Sequence, residues 1–96
     1  MAVFRSDSID RLFSVILNLK DVDDCYNFFE DICTIKEVQD MAQRLDVALA
    51  LDAGKNYQEI VKDVNVSSAT ISRVSRCLNY GCGGYKSAIE QIKKSK

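Results

Sequence analysis

The sequence contains no proline, no histidine and no tryptophan among its 96 residues. The absence of proline removes the strongest helix breaker, so helices are favoured along the whole chain. The absence of histidine excludes catalytic triads built on imidazole and zinc sites that need a His ligand. We therefore expect a helical protein that is not an enzyme and that uses no metal or other cofactor.

Cysteine is scarce and irregularly spaced, at Cys25, Cys33, Cys77 and Cys82. These positions form no CxxC pair, so a zinc site made only of cysteines would require two distant pairs to converge. We expect the four thiols to be reduced and buried, because a thiol in a reducing compartment behaves as a small apolar side chain.

Long hydrophobic runs are also missing, since no segment approaches the roughly 18 apolar residues that a membrane span requires. The opening MAVFRSDSIDRLF contains acidic residues and lacks the basic start and the small-residue cleavage site of a secretory signal. We expect a soluble, cytoplasmic protein without membrane contact. With 47% hydrophobic residues in a chain of this length, one domain over residues 1–96 is the predicted organisation.

Charge is divided unequally along the chain, although the formal net charge is only −1. Residues 1–54 carry eleven acidic and five basic side chains, whereas residues 55–96 carry three acidic and eight basic ones. A basic segment of this kind is typical of an anion-binding module, although a solvated surface of mixed charge produces a milder version. Three of the basic residues, Lys93, Lys94 and Lys96, are expected to be solvated in a frayed tail.

Apolar residues spaced three and four apart predict six helices and no strand, an all-α fold. Ser6 or Ser8 is the expected cap of the first helix, and Asp21 precedes the second. Thr34 and Glu37 have the spacing of a capping box at the start of the third helix, which should end at Gly54. The remaining helices are predicted over 57–64, 67–78 and 85–94.

The segment YQEIVKDVNVSSATISRVSR has the spacing of a helix-turn-helix, in which two short helices touch through one face each. Asn65 stands at the bend, where a residue must tolerate positive φ. The predicted core positions of this motif are Ile60, Val61, Val64, Val66, Ile71 and Val74. A helical hairpin in any small bundle would show similar spacing.

The exposed face of the second helix of this motif carries small polar groups and arginines, which suit base edges and phosphates. We therefore predict a sequence-specific interface with double-stranded DNA. The alternative is a helical protein–protein interaction module that does not bind DNA. The predicted DNA-binding residues are Gln58, Lys62, Ser67, Ser68, Ala69, Thr70, Ser72, Arg73 and Arg76.

From about Thr34 to Ser75 the sequence resembles the trp repressor family of small, intertwined, all-helical dimers, in its branch of trp-repressor-related proteins. The resemblance rests on ATISR at 69–73, the preceding QEIVKDVNVSS, the helix ending at Gly54, and Thr34 with Arg44. It implies a homodimeric DNA-binding repressor of transcription. Residues 1–54 would form the dimerisation helices, 55–78 the helix-turn-helix and 79–96 a C-terminal helix.

The same resemblance implies a site for a small-molecule corepressor. The positions that match those holding L-tryptophan in the founding member of the family are Thr34, Arg44, Thr70 and Arg73. However, the founding member has a glycine where this chain has Val74, and a serine where it has Cys77. Because a branched side chain fills the space of the indole, we expect this chain not to bind tryptophan.

Overall fold

The computed structural model describes residues 4–95, and these form six α-helices and no strand. The predicted all-α class is therefore confirmed. The helices are α1 (Asp7–Leu17), α2 (Val22–Ile32), α3 (Ile35–Asp52), α4 (Tyr57–Val64), α5 (Ser68–Tyr80) and α6 (Gly84–Lys94).

The first three helices begin at the residues that the sequence indicates. Ser6 and Asp21 cap α1 and α2, each accepting a hydrogen bond from a backbone N–H of the first turn. At α3 the Thr34 hydroxyl accepts from the Glu37 N–H at 3.1 Å, and the Glu37 carboxylate accepts from the Thr34 N–H at 2.8 Å. This capping box satisfies two backbone donors that would otherwise lack helical partners.

Backbone conformation and close contact explain where α3 and α5 end. Gly54 follows α3 with φ +86°, a conformation that costs glycine little. Helix α5 runs two residues beyond its predicted end, to Tyr80. At Gly81 the chain passes so close to the turn before it that a Cβ atom would overlap the carbonyl oxygen of Cys77, so this position requires glycine.

The chain divides into two compact units, with the boundary between Val38 and Gln39 inside α3. In the first unit, α1 and α2 bury no residue completely, and large apolar side chains remain exposed. Among the described residues of this unit, those with the largest exposed fractions are Leu17 (84%), Ile35 (69%), Val22 (68%), Tyr26 (68%) and Phe4 (60%).

The second unit contains the hydrophobic core of the described residues. The core is made of side chains from the later part of α3, from α4 to α6 and from the turn before α5, and all of them are apolar: Val47, Ala48, Ile60, Val66, Ile71, Val74 and Ile89. Burying such side chains is the main favourable contribution to folding, about 1.5–3 kcal/mol for each large one. This unit therefore has the more extensive packing.

One predicted core position is wrong, because Val61 is 40% exposed. Helix α4 has only eight residues, and Ile60 occupies its core-facing side with no exposed surface. The next residue lies about 100° further round the helix axis, so Val61 faces away from the core. Val64 packs against the core but is only partly buried.

Two other expectations need correction. Cys25, Cys77 and Cys82 are exposed and Cys33 is partly buried, so the thiols are free as predicted but not buried. Lys93 is not in a frayed tail, since it lies within α6 and its Nζ is 2.8 Å from the carboxylate of Asp52. A contact between residues 41 positions apart leaves no local pattern in the sequence. Lys96 lies outside the described residues.

Between residues 4 and 95 no helix combines the length and the apolarity needed to cross a membrane. The same described residues contain no cluster of Cys, Asp and Glu side chains arranged to hold a metal ion.

Candidate nucleic-acid interface

Helices α4 and α5 form the predicted helix-turn-helix, joined by Asn65, Val66 and Ser67. Asn65 has φ 57° and ψ 54°, the left-handed conformation expected at the bend. Such a value is uncommon for residues other than glycine, and asparagine is among those that adopt it most readily. The turn therefore has the geometry that its sequence predicts.

Side-chain hydrogen bonds cap the first turn of both helices of the motif. Asn56 and Glu59 form a capping box at α4, with both hydrogen bonds at 2.9 Å. At α5 the Ser67 hydroxyl accepts from the Thr70 N–H at 3.2 Å and lies 3.1 Å from the Thr70 hydroxyl. An N-cap of this kind contributes about 1 kcal/mol to stability. Ser67 and Thr70, both predicted to contact DNA, thus also stabilise the start of α5.

The core determines which face of α5 points outward. Ile71 and Val74 have 0% and 2% of their surface exposed, and they pack in the cluster that also contains Ile60 and Val66. Since side chains three residues apart share one face of a helix, these two hold α5 on the protein. The opposite face is left to solvent.

The exposed surface of α5 carries five of the residues predicted to contact DNA: Ser68, Ala69, Ser72, Arg73 and Arg76. Helix α5 contains no acidic residue. Within the described part of the chain, neither Arg73 nor Arg76 has an ion-pair or hydrogen-bond partner. Their guanidinium groups are therefore available to an external anion or base.

Helix α4 adds one uncompensated cation, Lys62, which is exposed together with Gln58 one turn earlier. The other lysine nearby, Lys55, is neutralised by Asp63, with 3.0 Å between Nζ and the carboxylate. Glu59 is engaged in the capping box. The helix-turn-helix therefore presents three cations that have no acidic partner in the described part of the chain, namely Lys62, Arg73 and Arg76.

The four residues that would hold a corepressor lie in both units of the chain. Thr34 belongs to the first unit, where its hydroxyl is engaged with the Glu37 N–H. In the second unit Arg44 is half-buried on α3, Thr70 is half-buried at the start of α5, and Arg73 is exposed. Val74 contributes its side chain to the core.

One residue at the helix-turn-helix was not indicated by the sequence. The side-chain amide of Gln43, on α3, donates a hydrogen bond to the backbone carbonyl of Asn65 at 3.4 Å. Glutamine on the face of a long helix carries no signal of its own, and 22 positions separate the two residues.

Comparison with known proteins identifies relatives over nearly the whole chain. Residues 7–93 match the family model described as Trp repressor protein. The chain is 50% identical over 91 residues to "Uncharacterized protein YerC" of Bacillus subtilis strain 168. The aligned residues make up 95% of this chain and 88% of that relative.

Solved structures show the same similarity. A TrpR like protein from Eubacterium eligens ATCC 27750 matches with a TM-score of 0.90 and 44% identity, over 93% of this chain and 92% of that one. The crystal structure of a protein from Staphylococcus aureus matches with a TM-score of 0.89 and 39% identity, over 93% of this chain and 89% of that one.

Proposed function

This chain belongs to the Trp repressor family, and we propose that it is a sequence-specific DNA-binding regulator of transcription, a repressor that acts as a homodimer. The observation that carries the proposal is the outward face of α5. It combines small side chains with two arginines that have no partner among residues 4–95, and with no acidic residue, on a helix held by its opposite face.

In this proposal α5 enters the major groove and its N-terminal half contacts base edges. Ser68, Ala69 and Ser72 are small enough to allow close approach. Arg73 can donate two hydrogen bonds to one guanine, the commonest specific contact of an arginine in the major groove. Lys62 on α4 would contact phosphates, which sets the register but reads no sequence.

Binding to DNA is tested by its dependence on salt. Neutralised phosphates release counterions, so the logarithm of the binding constant falls with the logarithm of salt concentration, by about 0.9 for each phosphate contact. We expect a steep slope on random duplexes and tighter binding to duplexes selected from a random pool. A module that binds only proteins would show neither the slope nor any selected sequence.

We further predict a dimer, because the first unit leaves apolar side chains of α1 and α2 exposed that a lone chain does not cover. A two-fold dimer implies a palindromic operator with half-sites about 34 Å apart or a multiple of this distance. Sedimentation at micromolar concentration should give twice the mass of the chain. A folded monomer would refute both the dimer and the symmetric operator.

Tryptophan is expected to have no effect on operator affinity at millimolar concentration. Val74 fills part of the core beside Arg73, and adding methylene groups to a packed site costs about 1 to 3 kcal/mol. Calorimetry of the wild-type chain with L-tryptophan should show no binding heat. Val74→Gly tests whether added space allows binding, provided that urea unfolding shows the variant to be folded, because Val74 is a buried core side chain. A binding heat of one tryptophan per wild-type subunit would contradict this prediction and would favour tryptophan as the corepressor.

A further inference from the structure

The hydrogen bond between Gln43 and Asn65 connects the long helix α3 to the turn of the helix-turn-helix. The Gln43 Nε2 is the donor and the Asn65 carbonyl oxygen the acceptor, 3.4 Å apart. This side-chain hydrogen bond joins α3 to the turn directly. It is long for a hydrogen bond, so its expected contribution to overall stability is small.

Gln43 lies on the side of α3 that supports the helix-turn-helix. Val47, one helical turn later and therefore on the same face, is completely buried in the core that contains Ile60 and Ile71. Gln43 is therefore a polar residue beside the apolar contact between α3 and the motif. Its half-buried side chain reaches the turn instead of the core.

The acceptor belongs to the residue that determines the direction of the turn. The Asn65 N–H closes α4 by donating to the Val61 carbonyl at 3.1 Å, and its left-handed φ and ψ then turn the chain toward α5. Its carbonyl lies outside the hydrogen-bond ladder of either helix. A donor that holds this carbonyl restricts the plane of the peptide that leads into α5.

We infer that Gln43 is a positioning residue, which orients α5 for sequence-specific binding through the carbonyl of Asn65. The inference rests on the proposed function. Bidentate contact between Arg73 and a base requires α5 to be placed accurately in the groove. Attraction between cations and phosphates depends much less on that placement. Loss of the Gln43 contact should therefore reduce specific binding more than non-specific binding.

The test compares Gln43→Leu with the matched control Gln39→Leu, one turn earlier on the same helix, where Gln39 is exposed. Affinities are measured for a selected duplex and for a random duplex at one salt concentration, together with the thermal midpoint of each variant. We expect Gln43→Leu to bind the selected duplex about tenfold more weakly and the random duplex within about twofold of wild type. Gln39→Leu should resemble wild type on both duplexes.

A second variant, Gln43→Glu, keeps the length of the side chain but replaces the donor with a carboxylate. It should lose at least as much specific affinity as Gln43→Leu, because two acceptors then face each other. In the free protein, the amide resonance of Val66, which follows the Asn65 carbonyl, should shift in both Gln43 variants and stay unchanged in Gln39→Leu.

The outcomes separate this inference from the proposed function. If the wild-type chain prefers no duplex, the proposed function fails and the inference falls with it. If the wild-type chain shows a preference and Gln43→Leu keeps it, only the inference is overturned. Equal losses on both duplexes, with a lowered thermal midpoint, would also overturn it, because they would show general destabilisation rather than a change in orientation.

Discussion

Replacing Arg73 with alanine is expected to weaken binding to a selected duplex by about 1 to 3 kcal/mol, which corresponds to about 5- to 150-fold. Arg73 is exposed on α5, has no ionic partner in the described part of the chain, and lies next to the buried Val74 that anchors the helix. Such a guanidinium can contact a base without first breaking an internal contact. Fluorescence anisotropy titrations at one salt concentration would measure the loss.

The control for this prediction is Lys94→Ala. Lys94 is exposed at the last residue of α6, so its removal eliminates one positive charge without touching α5. We expect little change in specific binding. If Lys94→Ala weakened binding as much as Arg73→Ala, general electrostatic attraction would explain the affinity and the recognition role of α5 would be refuted.

Replacing Ile60 with alanine is expected to destabilise the fold by about 2 to 5 kcal/mol, the usual range for a fully buried isoleucine. Ile60 is completely buried and packs in the same cluster as Val47 and Ile71. Alanine there would leave a cavity between α3, α4 and α5. Urea unfolding measures the loss, and protein concentration must be held constant because the stability of the proposed dimer would depend on it.

The adjacent substitution, Val61→Ala, provides the control for Ile60→Ala. Val61 is 40% exposed, and surface substitutions usually change stability by no more than about 0.5 kcal/mol. The two variants change neighbouring residues of one short helix, so a large difference between them would come from burial. Equal losses of unfolding free energy would contradict the orientation of α4 described above, in which Ile60 faces the core and Val61 faces solvent.

Local features of the fold could be predicted from sequence because they depend on neighbouring residues. The capping box of Thr34 and Glu37, the caps Ser6 and Asp21, and the left-handed bend at Asn65 each involve side chains within a few positions of the backbone that they stabilise. The physical cause of each feature is therefore visible in a short segment of sequence.

Features that depend on distant contacts could not be predicted in the same way. In a helix of two turns, periodicity does not decide whether Ile60 alone or Ile60 with Val61 faces the core. The answer depends on where α3 and α5 lie. The ion pair of Lys93 with Asp52 and the hydrogen bond of Gln43 with Asn65 likewise arise from tertiary packing.

Some features of the candidate site could be predicted from the sequence and others could not. The outward placement of Ser68, Ser72 and Arg73 followed from the spacing of Ile71 and Val74 on the opposite face of α5. The ion pair of Lys55 with Asp63, which leaves Lys62 as the lysine of α4 without an acidic partner among residues 4–95, depends on the arrangement of side chains in space and could not be predicted.

The division of α5 into an anchored face and an exposed face has a consequence for evolution. The side chains at 68, 69, 72 and 73 lie outside the buried core, and the start of the helix is stabilised by Ser67. Exchanging such surface side chains typically costs little stability. If the proposed function is correct, one copy can therefore diverge toward a different operator after gene duplication while its fold remains intact. A new target sequence would then require changes on only one face of a single helix.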